Sequence, residues 1–131
     1  MAASSDSYHE PLSDLSTETR HLHQALVSLQ EELEAVDWYR QRADACQDAE
    51  LKALLLHNMR EEIEHACMVL EWLRRRSPDF AKEMETYLFT RTPITEVEKA
   101  AEQSEVGTAG TASADPELPR FTVGDLKAKR P

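Results

Sequence analysis

A glutamate followed three residues later by a histidine, Glu62 and His65, sits in a stretch whose apolar residues recur with the helical period. On a helix that spacing puts both side chains on one face. Leu51, Leu55, Asn58, Glu62, His65, Val69 and Trp72 form a single stripe, so the pair interrupts a line of side chains expected to be buried. Upstream, Glu32 falls in line with Leu29, Val36 and Tyr39 and is expected to point inward as well. Burying an unpaired carboxylate costs several kcal/mol per ion, against the ~5 to 15 kcal/mol net stability of a domain. Something must offset these charges. A divalent cation does so, and carboxylate oxygens with an imidazole nitrogen suit iron or manganese better than thiolate-bound zinc. The blander alternative is that Glu62 pairs with an arginine and His65 is a hydrogen-bonded core histidine. A lone Glu-x-x-His is more often of that kind, and Glu32 on the partner helix is what favours the cation.

Other residues cluster around these three. Glu31-Glu32-Leu33-Glu34 is echoed by Glu61-Glu62-Ile63-Glu64, and in each quartet one glutamate is expected inside. The rest, Glu31, Glu34, Glu61 and Glu64, either ring the site with negative charge that attracts cations or are ordinary solvated helix faces. His57, four before Glu61 and seven before Glu64, could share a weaker outer metal site with them. Trp38 and Tyr39 follow Glu32 by one turn or more. Aromatics at such spacing are usually core, but a phenol beside iron can donate a hydrogen bond or an electron, which makes Tyr39 a supporting candidate. His9, His21 and His23 show no ligand geometry. Cys46 in a loop and Cys67 in a helix read as free thiols, since neither belongs to a CxxC pair.

The elements that must position these groups are helices. Ser13 or Ser16 can cap a first helix, whose Leu15, Leu22, Leu26, Leu29, Leu33 and Val36 hold one stripe as far as about Ala43. The polar patch Asp44 to Asp48 breaks it, and Asp48 can cap a second helix from Ala49 to about Arg76, ended by Ser77-Pro78. Helices of such length, ~40 to 45 Å, joined by a short connector must fold back antiparallel. A shorter amphipathic helix with Phe80, Met84, Tyr87 and Leu88 on one face follows, and Ile94 to Ala101 adds one or two turns after Pro93. The expected organisation is a flexible arm at 1–12, a helical hairpin domain at 13–101, a disordered linker at 102–119 and a tail at 120–131.

Composition agrees with an all-α protein, having three glycines in 131 residues. A net charge of −10 disfavours nucleic acid and anionic lipid as partners. No basic segment followed by an apolar run opens the chain and no stretch suits a bilayer, so a soluble, unexported protein without a membrane partner is expected. The apolar fraction, 40%, is slightly low for a self-sufficient globule. A second copy could complete the core. Ferritin-like di-iron bundles take one Glu from each of two helices and a Glu-x-x-His from each of two others. This chain supplies one of each, so a two-fold homodimer would complete the four-helix bundle and its di-iron centre.

At these residues the chain resembles the encapsulated ferritins of bacteria, two-helix ferritin-like proteins loaded into encapsulin shells. The resemblance covers His9-Glu10-Pro11-Leu12, EELEAVDWY at 31–39, HNMREEIEHA at 57–66, LEWLRRR at 70–76 and YLFTRTPITEVE at 87–98. It implies a ferroxidase centre at Glu32, Glu62 and His65 of two chains, with Tyr39 close by. It implies an entrance site at Glu31 and Glu34 beside Trp38, open to calcium or other divalent cations, and an outer site at His57, Glu61 and Glu64. It also implies an annular decamer of five dimers that oxidises Fe²⁺ for storage inside an encapsulin nanocompartment in the bacterial cytoplasm. The segment Phe121 to Lys127 is similar to the family's shell-targeting peptide, with Phe121 in place of an aliphatic residue and Asp125 in place of serine. Two rival functions are a non-catalytic helical adaptor or metal-binding cargo protein, and a rubrerythrin-like peroxidase, for which rubredoxin-type cysteines are missing.

Overall fold

The computed structural model describes residues 7–108. Within them the chain is all-helical: a short 3-10 turn, Leu12–Asp14, then α1 (Thr17–Ala45), α2 (Ala49–Arg76), α3 (Pro78–Tyr87) and α4 (Ile94–Thr108). Ser16 caps α1, its side chain accepting from the Thr19 amide at 3.1 Å. Asp48 does the same for α2 through the Leu51 amide at 2.7 Å. These bonds satisfy amide donors that the first turn of a helix leaves unpaired. Ser77 serves two helices. Its amide donates to the Leu73 carbonyl at the end of α2, while its hydroxyl accepts from the Phe80 amide and Pro78 opens α3.

The chain divides into two units, Met1–Thr90 and Arg91–Pro131. In the first, α1 and α2 pack along their lengths as an antiparallel hairpin and α3 rests on α2. Among the described residues its buried apolar side chains are few: Val27, Ala43, Ala66 and Leu73. Leu33, Leu54, Met68 and Ile63 remain 43 to 57% exposed. A hairpin has one internal seam, and large apolar side chains beyond it are left uncovered. The expectation that Glu62 and His65 lie in a buried seam is therefore not met within one chain, where Leu51 of the same stripe is 48% exposed.

Residues 7–12 are less free than the expected flexible arm. Tyr8 stacks on His23 with ring centroids 4.0 Å apart, and the Arg20 guanidinium donates to the Leu12 carbonyl. The second unit holds α4, which continues to Thr108 and so corrects the expected linker start at residue 102. Lys99, Ala100, Ala101, Glu102 and Gln103 are good helix formers, and helix propensity operates without a core to bury. The linker from residue 109 and the tail with Phe121 to Lys127 lie outside the described residues. Among the described residues no helix is long and apolar enough to cross a membrane.

Candidate metal centre

Glu32 stands near the middle of α1, and the antiparallel register sets it beside Glu62 and His65 of α2. His65 Nδ1 lies 3.3 Å from Glu62 Oε2 and 3.5 Å from Glu32 Oε2. All three donor atoms fall within 4.8 Å of one another. Among the described residues no other three His, Cys, Asp or Glu side chains converge in this way. The side chains are half-buried, His65 being the most open at 44%.

The electrostatics follow from this proximity. Hydrogen bonding to the neighbouring carboxyl raises the pKa of Glu32, with burial and the Glu62 charge acting in the same direction, and lowers that of Glu62. Two neighbouring carboxylates that cannot both ionise freely hold a proton to higher pH than either would alone. Burial works against charge on His65, but hydrogen bonding to Glu62 and the charges of both glutamates outweigh it and lift the imidazole above its ordinary range. The three groups thus perturb one another at the point where a cation would fit. Two hard oxygen donors and an imidazole nitrogen within reach of one centre suit a first-row divalent ion such as Fe²⁺.

Other expected site residues are brought together less completely. His57 Nε2 approaches Glu61 Oε1 at 3.7 Å, and Glu64 is outside that pair. Glu31 is exposed and Glu34 half-buried, and neither joins the cluster. Trp38 is 45% exposed. Trp38 and Tyr39 carry the Arg42 guanidinium over their rings, at 5.9 and 5.6 Å from the centroids. Arg42 went unnoticed in the sequence, although its positions four after Trp38 and three after Tyr39 are the spacings that bring helical side chains together. An open groove of about 530 Å³, lined by residues that include Gln24, Ala25, Ser28, Met68, Val69 and Trp72, runs along the same side of the hairpin. Ser28 and Ala25 precede Glu32 by four and seven residues, and Met68, Val69 and Trp72 follow His65 by three, four and seven.

Known proteins share this arrangement of sequence and fold. The chain is 56% identical over 113 residues to an encapsulated ferritin-like protein of Rhodospirillum rubrum, covering 86% of this chain and 80% of that one. It is 30% identical to an encapsulin nanocompartment cargo protein of Myxococcus xanthus, over 92% of this chain and 95% of that one. A crystal structure of a Nitrosomonas europaea protein, 61% identical, superposes with a TM-score of 0.66 over 68% of this chain and 98% of its own. The EncFtn-like family model matches residues 7–91, the segment that contains the whole hairpin, α3 and the Glu32–Glu62–His65 cluster. This chain belongs to the EncFtn-like family.

Proposed function

We propose that the protein is a ferroxidase: it oxidises Fe²⁺ at a centre shared between two copies, as cargo of an encapsulin shell. The observation that carries this reading is the convergence of Glu32, Glu62 and His65 from two helices on one point. One hairpin gives three donors and leaves His65 nearly half open to solvent. Two hairpins related by a two-fold axis give four carboxylates and two imidazoles, the donor set of ferritin-like di-iron sites.

Fe²⁺ is the substrate, and each ion gives up one electron to oxygen or peroxide. The chain's part is binding and proton release. Glu32 and Glu62 offer carboxylate oxygens, and His65 gives up its proton and offers Nδ1. A small donor set leaves room for the oxidant, as redox work requires. Four carboxylates meeting at a two-fold axis repel one another, and two Fe²⁺ remove that repulsion. Binding that needs two chains must favour their association by the same free energy. Five such dimers in an annular decamer would complete the assembly.

The remaining assignments extend this reading. Glu31 and Glu34, beside Trp38, attract Fe²⁺ or another divalent cation on its way in, and Tyr39 supports the centre from the next turns of α1. His57 with Glu61, and Glu64 one turn on, hold a weaker outer site. Phe121 to Lys127 dock in an apolar groove of the shell as an extended peptide. Shell association is supported by the Rhodospirillum rubrum and Myxococcus xanthus relatives, which are named as encapsulated and as encapsulin cargo.

The test is anaerobic Fe²⁺ titration followed by an oxygen pulse, read by absorbance. Glu32→Ala, Glu62→Ala and His65→Ala should each abolish rapid oxidation, and Glu31→Ala or Glu34→Ala should slow it while the centre survives. Wild-type rates in the first three variants would overturn the assignment.

A further inference from the structure

Both tryptophans of the chain carry a guanidinium over the ring, and both acquire it in the same way. Arg42, four residues after Trp38, has its guanidinium carbon 5.9 Å from that ring's centroid and 5.6 Å from the centroid of Tyr39. Arg76, four after Trp72, lies 5.2 Å from its ring. Helical side chains lean towards the N-terminus, so a long one covers the turn before its own and reaches the residue four earlier. The choice of partner is less expected. In a chain with 25 acidic residues, the ion pairs among the described residues engage neither Arg42 nor Arg76. Of the run Arg74-Arg75-Arg76, the first two bind Glu71 and the third turns to Trp72.

These capped rings flank the metal cluster. Trp38 and Tyr39 follow Glu32 by six and seven residues on α1, and Trp72 follows His65 by seven on α2. At the helical rise each ring stands about 9 to 10.5 Å along its own helix from the cluster. Because the helices run antiparallel, the two sets lie on opposite sides of it. Trp72 and Arg76 line the groove on the cluster's side of the hairpin. Indole and phenol, with thiols, are the side chains that give up an electron most readily. Beside a centre that meets oxygen or peroxide, these rings are therefore electron sources that compete with Fe²⁺. A ring that loses an electron becomes positive before its proton leaves, and a fixed positive charge above its face opposes that step.

We infer that Arg42 and Arg76 are protective caps: their charge keeps Trp38, Tyr39 and Trp72 reduced, so that the oxidant draws its electrons from iron and not from the protein. The side reaction they oppose is a definite one. Where a single Fe²⁺ meets peroxide, one electron comes from iron and the second from a ring. The O–O bond breaks to give two hydroxides, one of which takes the phenol or indole proton and becomes water. Fe³⁺ and a neutral ring radical remain. Both arginines act through the rings, and neither is placed among the metal donors. In naming iron chemistry as the source of the oxidant the inference rests on the ferroxidase reading, but the caps themselves are tested without iron.

The experiment oxidises the full chain, in a chelating buffer, with radiolytically generated azide radical. That radical takes one electron from indole or phenol and becomes azide ion, and being uncharged it is not steered by the substitutions. Peptide mass spectrometry then gives the ratio of oxidation at Trp38 and Tyr39 to oxidation at Trp72. Arg42→Met should raise this ratio about tenfold, between the effects of a unit charge at this distance in water and in protein surroundings. Arg76→Met should lower it, and Arg42→Lys and Arg76→Lys should stay close to wild type. Methionine keeps an unbranched chain over the ring, so shielding by bulk alone predicts no change. Circular dichroism checks helicity, and if one methionine variant loses it the other decides alone. Ratios in folded methionine variants equal to the wild-type ratio would overturn the inference. Fe²⁺ with peroxide separates the two claims. If the azide ratios move but Arg42→Met gains no oxidised Trp38 or Tyr39 during iron turnover, the caps stand and the placing of iron oxidation beside them falls.

Discussion

Loading the Glu32–Glu62–His65 cluster with Fe²⁺ should release protons, because His65 and Glu32 both have raised pKa values. The His65 imidazole is held above its ordinary pKa of 6.5 by Glu62 and Glu32. At slightly acid pH each chain must therefore shed one proton from His65 before Nδ1 can bind. Of the two carboxyls, Glu32 has its pKa raised above 4.5 and Glu62 has its pKa lowered. Iron affinity per chain should fall about tenfold per pH unit below the pKa of His65, steepening towards about a hundredfold per unit as the carboxyl pair takes up its proton. The sign for the metal-free fold is opposite. A raised histidine pKa contributes stability that is fully present below the unfolded value of 6.5 and is lost as pH rises through the folded value. Acid and iron thus compete for one cluster. Anaerobic titration calorimetry at about pH 6, repeated in buffers of different ionisation enthalpy, counts the protons, with about one per chain expected. Iron binding that releases no protons at about pH 6 would refute the reasoning.

Three further outcomes follow. Leu73 is 0% exposed, and Leu73→Ala should cost about 2 to 5 kcal/mol in urea melts followed by circular dichroism, because so small a core cannot close over the cavity. Glu71, bound by Arg74 and Arg75, has its pKa lowered from 4.5 to about 2; its contribution is present above 4.5 and lost as pH falls towards 2. Since Glu71 is 41% exposed, Glu71→Gln should cost only about 1 kcal/mol at neutral pH after allowance for screening, a difference that acid melts should find vanishing. Deleting residues from Glu117 onward should leave helicity and iron oxidation unchanged and prevent loading into a co-expressed shell, measured by co-purification.

Much of the hairpin was legible because it rests on local rules. Ser16, Asp48 and Ser77-Pro78 bound the helices where capping chemistry puts them, and Glu32, Glu62 and His65 meet because stripe spacing and antiparallel folding leave them little choice. What escaped depends on contacts without a period. The Tyr8–His23 stack and the Arg20 bond to the Leu12 carbonyl join an irregular segment to a helix. The extension of α4 to Thr108 rests on helix propensity rather than on an apolar stripe, so apolar periodicity does not mark it. Burial is overestimated for His65, since a stripe states which side is apolar and not whether the same chain covers it. Phe89, with φ of 62° and 96% exposure, has no sequence signature, and nothing in the structure explains it.

The central claim is that one chain holds half a centre. Native mass spectrometry of the full chain, titrated anaerobically with Fe²⁺, measures this directly because it resolves bound iron and chain number together. The account predicts iron on dimers and their multiples, at two ions per two chains, with single chains iron-free and their signal declining as iron is added. Glu32→Ala and His65→Ala should show neither the iron nor the shift. Single chains carrying iron at the same free concentration, with a size distribution indifferent to metal, would contradict it.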